Sequence, residues 1–265
     1  KYLRSQEESF EKLRVLVIHS GGDSKRVPQY SALGKLFSPV PHKLPNGRNS
    51  TLFDEFMICM SSVPSRIREG MVLLSGDVLL LFNPLQIDFY GKGAAALSIK
   101  EPAEIGKNHG VYRVDGEGNV GGFLHKKTVE QLQSLGASDD QGNVDIDTGA
   151  VIFDSEMLQA LYQLVDTKEK FAAYVNERTR LSFYADFLYP LASDSTLEQY
   201  YKETPEGDFT PELEQCRTEL WSVLHPYQMK LIRMSPAAFI HFGTTKELRE
   251  LMTERMEEFC YLGWS

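Results

Sequence analysis

Apolar residues along this chain recur with two periods, and the switches between them mark out a series of elements. Residues 13–18, Leu-Arg-Val-Leu-Val-Ile, form a β-branched run that predicts a buried strand closed by Gly21-Gly22. Residues 71–75 predict a second strand, closed by Gly76-Asp77. Between them, Thr51 with Asp54 can cap a helix whose Leu52, Phe53, Phe56, Met57 and Met60 share one face. Residues 94–100, 110–114 and 120–124 read as strands, the last two joined through a hairpin turn at Asp115-Gly-Glu-Gly118. A short helix follows, with Thr128 and Gln131 as its capping box, Val129, Leu132 and Leu135 as its stripe, and Gly136 to end it. Residues 150–153 predict a strand leading into a helix that buries Met157, Leu158, Leu161, Leu164 and Val165. Thr210-Pro211-Glu212 is a helix start, residues 229–234 and 237–242 are late strands, and Thr244 with Glu247 opens a last helix. That helix carries Leu248, Leu251, Met252, Met256 and Phe259 as its stripe.

Strands and helices therefore alternate, with one hairpin interrupting. This predicts an α/β fold with a mostly parallel sheet covered on both faces and ligands at the carboxyl ends of its strands. No repeat or linker breaks the 265 residues, so one domain, 1–265, is expected. Composition adds exclusions: 42% hydrophobic and 25% charged residues belong to a folded globular chain and not to a disordered one. Lys plus Arg total 28 against 37 Asp plus Glu, and a net charge of −9 argues against a nucleic-acid partner. The apolar runs 71–75 and 78–82 are separated by Asp77 and fall far short of the ~20 residues of a membrane span. Cys59, Cys216 and Cys260 are odd in number and far apart, which predicts no disulfide framework and a reducing cytoplasm. The chain starts at Lys1 and ends on the apolar run Phe259-Cys-Tyr-Leu-Gly-Trp-Ser265, so an excised piece of a longer protein is expected.

Two phosphate-binding motifs nearly occur. A P-loop around Gly34-Lys35 would need glycine where Gln29 stands and Ser or Thr where Leu36 stands. Gly116, Gly118 and Gly121 spell GxGxxG, but in a polar hairpin and not between a strand and a helix. The informative stretch lies in the long Gly-, Pro- and Ser-rich segment 20–50, which reads as a functional loop. Gly21 and Gly22 free backbone N–H groups to face a triphosphate, Ser24 adds a hydroxyl, and Lys25, Arg26 and Lys35 bring cations. A polyanion suits this loop; a solvated turn with incidental charges is the other reading. Asp77, just past an apolar strand, suits Mg²⁺, which takes a few carboxylates plus phosphate oxygens and water. A plain turn-forming Asp is the alternative there. Asp186 is a weaker candidate carboxylate.

Taken in order, the loop Gly21-Gly22-Asp-Ser-Lys-Arg26 with Lys35, then Ser75-Gly-Asp77, Gly110-Val-Tyr followed by His125-Lys126-Lys127, Asp147-Thr-Gly-Ala-Val151, and His241-Phe-Gly-Thr-Thr245 resemble the sugar-nucleotide nucleotidyltransferases. Residues 17–37 narrow this, resembling the fucose-1-phosphate guanylyltransferases, in particular the amino-terminal half of bacterial bifunctional L-fucokinase/fucose-1-phosphate guanylyltransferases. The resemblance implies a Rossmann-like nucleotidyltransferase domain that makes GDP-L-fucose and pyrophosphate from GTP and L-fucose-1-phosphate with Mg²⁺, in fucose salvage. It also implies a β-helical segment and a sugar kinase following in the native chain. Carried over, Arg26, Lys35 and Asp77 are catalytic, and Gly21, Gly22, Ser24 and Lys25 hold the nucleotide. Lys126, Lys127 and Asp147 meet the sugar phosphate, and Asp77 and His241 hold the metal. Two positions depart from the family pattern: His241 stands where relatives carry Asp, and His125 where they carry Glu. No residue specifies guanine or fucose by its chemistry alone. A pyrophosphorylase for another sugar 1-phosphate or nucleotide, and a non-catalytic nucleotide-sugar-binding module, stay open.

Overall fold

The computed structural model describes residues 9–20 and 27–264. Among the described residues eleven strands are formed: β1 (Arg14–His19), β2 (Pro39–Lys43), β3 (Asn49–Thr51), β4 (Gly70–Ser75), β5 (Val78–Phe82), β6 (Ala94–Pro102), β7 (Gly110–Val114), β8 (Val120–His125), β9 (Asn143–Asp154), β10 (Met229–Arg233) and β11 (Ala237–His241). The α-helices are α1 (Leu52–Met60), α2 (Ala103–Gly106), α3 (Val129–Ser134), α4 (Ser155–Gln163), α5 (Lys168–Tyr174), α6 (Leu197–Lys202), α7 (Pro211–Leu224) and α8 (Thr245–Thr253).

The central sheet runs β1-β4-β9-β6-β10, with β7 on β9 and β8 on β7. β1 pairs parallel with β4, and β10 with β6, while β9 runs antiparallel to β4, β6 and β7. Thus β1, β4, β6, β7 and β10 point one way, and β9 and β8 the other. The sheet is mixed and mostly parallel, as the alternation of elements predicts.

Strand residues alternate between two cores, because successive side chains leave opposite faces of a strand. Ala95, Leu97 and Ile99 of β6 join Val72, Leu74, Ala150 and Ile152 under α1 and α8, which contribute Leu52, Phe56, Leu248 and Leu251. Ala94 and Ala96 turn to the other face with Val151 and Phe153, under Met157 of α4 and Leu220 and Leu224 of α7. Helices therefore cover both faces, and the small alanines of β6 let them approach closely. Among the described residues no helix is long and apolar enough to cross a membrane.

Three differences from the sequence reading have local causes. The expected loop 20–50 contains the β2–β3 ribbon, which pairs Pro39 with Thr51 and Lys43 with Asn49. Pro39 and Pro41 hide it from a strand reading, yet a two-stranded ribbon has free edges where a missing N–H costs little. β9 starts well before the predicted residue 150, because its polar Asp145 and Asp147 are matched by Arg233 and Tyr112. The last helix stops at Thr253, and a 3₁₀ segment, Met256–Leu262, brings Phe259 and Trp264 into the core, their rings 5.7 Å apart. Of the GxGxxG glycines, Gly116 and Gly118 lie in the β7–β8 turn, where Asp115 Oδ1 accepts from the N–H groups of Glu117 and Asn119, and Gly121 lies in β8 itself.

Candidate functional site

The site grows from the carboxyl ends of β1 and β4. Their register runs to His19 opposite Ser75, and the Gly76 N–H then donates to the His19 carbonyl at 2.9 Å. A Cβ on Gly76 would lie 2.6 Å from that carbonyl oxygen, so this turn requires glycine. Asp77 emerges next, and β5 leaves to pair with β11, which sets His241 opposite Val78. The Phe242 N–H donates to the Asp77 carbonyl at 2.7 Å, closing the corner.

Lys35 arrives from far away in sequence. Gly34, at φ +75°, turns the chain into a 3₁₀ segment, Lys35–Phe37, and buried Leu36 pins that segment to the core. Lys35 Nζ donates to Asp77 Oδ2 at 2.9 Å and to the Gly243 carbonyl at 3.4 Å. Ser75 Oγ donates to the other oxygen, Asp77 Oδ1, at 2.7 Å. Burial pushes the Asp77 carboxyl up, but the hydrogen bonds from Lys35 and Ser75 more than offset this and hold it below the usual carboxylate value. Asp77 is therefore ionised at neutral pH.

His241 Nε2 lies 3.9 Å from Asp77 Oδ2, and its Nδ1 lies 3.0 Å from Glu247 Oε1. Thr244, the N-cap of α8, accepts from the Glu247 N–H at 3.2 Å and donates to Glu247 Oε2 at 2.8 Å. Glu247 is thus both a cap partner and the group that orients His241. The His109 ring sits 6.1 Å from that of His241, and its pKa is lowered, chiefly by burial and next by the neighbouring imidazole.

The donor set favours Mg²⁺ at Asp77 more than at His241. A hard cation takes oxygen ligands, keeps several waters and binds through one or two carboxylates plus substrate phosphates. Asp77 supplies such an oxygen, whereas His241 offers an imidazole nitrogen, a donor better suited to softer metals. Among the described residues, no group of three or more His, Cys, Asp or Glu side chains gathers around one point.

A second cluster forms where β9 bulges. Leu97 faces Ala150, but the next residue, Ser98, faces Asp147, so Thr148 and Gly149 are extra. Bulges re-aim side chains and recur beside active sites. Gly149 takes φ +70°, and a Cβ there would meet Ser75 Cβ at 2.6 Å, so the bulge packs directly against the Ser75-Gly-Asp77 corner. Asp147 is only 7% exposed, and its Oδ1 accepts from Tyr112 Oη at 2.8 Å and from the Gly149 N–H at 2.9 Å. Burial raises its pKa against the lowering effect of hydrogen bonds from Gly149, Tyr112 and Tyr184.

Lys126 and Lys127 follow β8. Lys126 takes φ +48°, is exposed, and donates its N–H to the His109 carbonyl at 3.2 Å. Burial first, and then the charges of Lys126 and Lys127, lower the pKa of His125.

The structure thus gathers Lys35, Asp77 and His241 at one corner, with Lys126 beside it through His109. Asp147 lies against the buried Tyr112 hydroxyl instead of on an open surface. Gly21, Gly22, Ser24, Lys25 and Arg26 lie outside the described residues. Asp186 belongs elsewhere, a correction to its candidacy: its Oδ1 accepts from Arg217 Nε at 2.7 Å, and both side chains are wholly buried. Sequence reasoning missed Ser75, Glu247, His109, Tyr112 and Tyr184 as neighbours of the site. Ser75 and Glu247 were legible as polar residues inside the motifs, whereas Tyr184 lies in a stretch with no periodic signal.

Residues 7–265 match the family described as fucose pyrophosphorylase domain. The chain is 25% identical over 249 residues to the bifunctional fucokinase/GDP-fucose pyrophosphorylase of Arabidopsis thaliana, covering 88% of this chain and 22% of that protein. It is 25% identical over 276 residues to the fucose-1-phosphate guanylyltransferase of Homo sapiens, covering 91% of this chain and 43% of that protein. The chain therefore spans less than half the length of these relatives. Among solved structures, HddC from Yersinia pseudotuberculosis aligns with a TM-score of 0.38 and 13% identity, covering 76% of this chain and 60% of that one, too distant to add to the fold described above. A match that runs through every element carrying the Lys35–Asp77 corner and the β9 bulge places this chain in the fucose pyrophosphorylase domain family.

Proposed function

We propose that this domain transfers GMP from GTP to L-fucose-1-phosphate, giving GDP-L-fucose and pyrophosphate in a salvage route. The observation that carries the reading is the Lys35–Asp77 pair, 2.9 Å apart at the end of β4, in a chain of this family. An oxygen of the sugar phosphate attacks the α-phosphorus, the bond to the α,β-bridging oxygen breaks, and pyrophosphate leaves with that electron pair. The attacking oxygen is already ionised near neutral pH, so the site needs position and charge more than a general base.

Lys35 faces the reacting phosphate, and Lys126 with Lys127 meets the sugar phosphate. Gly21, Gly22, Ser24 and Lys25 cradle the triphosphate, and Arg26 neutralises the departing pyrophosphate. Asp77 would hold Mg²⁺ together with phosphate oxygens and water, with His241 beside it. When bound, the ion offsets charge on the phosphates as the α-phosphorus becomes crowded. The three free cysteines suit a reducing cytoplasm, and the bifunctional name of the Arabidopsis relative suits a place beside β-helical and sugar-kinase segments in a longer enzyme.

The test is pyrophosphate release from ATP, GTP, CTP and UTP, each with L-fucose-1-phosphate or a hexose 1-phosphate, with Mg²⁺ or with EDTA. GTP with L-fucose-1-phosphate is expected to be fastest, and EDTA to stop release. Preference for another pair refutes the substrates, and release that persists in EDTA refutes the metal. GDP-fucose binding with no release from any pair would mark a binding module.

A further inference from the structure

Among the described residues the central sheet has three edge strands, β1, β8 and β10. Two of these edges are closed by backbone. The Ser193 and Asp194 N–H groups donate to the Val120 and Gly121 carbonyls of β8 at 2.9 and 3.1 Å. Asn119 bridges to Lys230 of β10, and the Leu231 N–H donates to the Gly118 carbonyl at 3.3 Å. The outer edge of β1 has no such cover among the described residues. Its Leu13 and His19 carbonyls accept from the Gly70 and Gly76 N–H groups, on the β4 side. Backbone groups of alternate residues leave opposite edges of a strand, so Val15 and Val17 also face β4. Arg14, Leu16 and Ile18 therefore turn their N–H and C=O groups outward. Edges of this kind are usually blunted by Lys, Pro or a bulge. Here Val15, Leu16, Val17 and Ile18 are consecutive, the register with β4 is unbroken, and Leu16 is 40% exposed with its side chain in neither core.

We infer that β1 pairs with β1 of a second copy of this chain across a two-fold axis at Leu16, joining the two central sheets into one. An axis normal to the sheet makes the paired strands antiparallel and keeps each face on its own side. Centred on Leu16, it sets Leu16 against Leu16 of the second copy, and Arg14 against Ile18 of the second copy, as hydrogen-bonded pairs. Val15 meets Val17 of the second copy in the non-hydrogen-bonded position between them. The outward groups are spaced evenly about Leu16, so the two-fold pairs all of them, and a slip of one residue would turn each side chain to the wrong face. The charges also fit. The four central residues carry none, and Arg14, already 3.7 Å from Glu69 of its own chain, comes opposite an apolar residue, so no like charges meet. Because the strands are antiparallel, the two Lys35–Asp77 corners lie toward opposite ends of the joined sheet and stay separate.

Sedimentation velocity over a hundredfold range of concentration tests the pairing, in about 0.15 M salt to screen the net charge of −9 on each copy. The wild-type chain is expected to pass from one copy to two as concentration rises. Leu16→Pro removes an outward N–H and no bond to β4, and Leu16→Lys sets two like charges on the axis. Each is expected to weaken association about 10-fold or more, with circular dichroism unchanged. If Leu16→Pro does not fold, Leu16→Lys and crosslinking decide. In a Cys260→Ser background, Leu16→Cys brings two thiols to the axis, where Cα atoms about 5.5 Å apart lie within disulfide reach, and mild oxidation is expected to join the copies at position 16. A wild-type chain that stays monomeric throughout overturns the pairing. A dimer that the folded variants leave intact, or that Leu16→Cys does not crosslink, overturns it as well.

Discussion

Lys35→Ala removes an ammonium that donates to Asp77 Oδ2 at 2.9 Å and to the Gly243 carbonyl at 3.4 Å. The two side chains are 17% and 23% exposed, so water screens the pair only partly. A charge-assisted hydrogen bond in such a place contributes about 1.5–3 kcal/mol to stability. In a domain of this size each kcal/mol shifts Tm by about 2–4 °C, so the variant should melt about 3–12 °C lower. Typical domains have about 5–15 kcal/mol in hand, and the variant stays folded at 25 °C. The catalytic loss should be larger, because removing one preorganised donor at a site of developing charge costs about 10²–10³ in turnover, or about 3–4 kcal/mol. Asp77→Asn keeps the size of the side chain and loses the charge, and a similar fall is expected. The two residues act as one unit, so the double variant should lose about as much as the worse single one. The assay is pyrophosphate release at saturating GTP and L-fucose-1-phosphate, with melting followed by circular dichroism. Near-normal turnover in either folded variant would sink the site. A double variant that loses the product of the two effects would show that Lys35 and Asp77 work separately.

Three further outcomes follow from the packing. Gly149→Ala places a Cβ 2.6 Å from Ser75 Cβ at a backbone φ of +70°, and should cost about 1–3 kcal/mol in urea unfolding; wild-type stability would mean that the bulge is not built as described. Arg217→Met strands the Asp186 carboxylate in a wholly buried place and should cost about 3–5 kcal/mol, part of it regained in Arg217→Met/Asp186→Leu; a single-variant loss under about 1 kcal/mol contradicts the pairing. Burial, with Glu55 and Glu219 respectively adding to it, pushes the Cys59 and Cys216 thiols up to about 11, while Cys260 is exposed. At pH 8 only about 10⁻³ of a thiol with that pKa is thiolate, so iodoacetamide should label Cys260 first. Equal labelling of Cys59 by peptide mapping would go against its burial.

The strands that build the sheet were legible because their burial follows the strand period. Ala94, Ala96 and Ala95, Leu97 divide between two cores as simple alternation demands. The Lys35–Asp77 corner was legible for a different reason: a basic loop and a strand ending in Gly-Asp are local patterns, although 42 residues separate the two side chains. Tyr184 was not legible, since its place depends on a π-helical turn, Phe183–Leu188, and on the rings of Phe123 and His125 carried by β8. Asp186 was misread because a carboxylate beside aromatic residues looks the same in sequence whether it faces a ligand or Arg217, 31 residues away. Glu247 was read as a cap, and it is one, but its second task depends on β11 bringing His241 to within 3.0 Å.

Three aspartates show how environment sorts one side chain into separate tasks. Burial pushes all three carboxyls up, and what differs is the opposing donors. At Asp186 the raised carboxyl is locked against Arg217 with no exposure, a brace under the π-helical turn. At Asp147 the donors are the neutral Tyr112 hydroxyl and the Gly149 N–H, and burial keeps the carboxyl raised. At Asp77 the donors include an ammonium, which carries the balance the other way and leaves an ionised group with 23% of its side chain exposed. An ionised carboxylate next to a triphosphate would repel it, and Lys35 neutralises Asp77 without leaving surplus positive charge. In the reaction proposed above, the phosphates then require further cations, and Lys126 and Lys127 follow β8 beside the corner, while Asp77 is the residue that would hold a divalent ion. A net charge of −9 is compatible with such substrates because the charge that matters is set within a few ångströms of that corner.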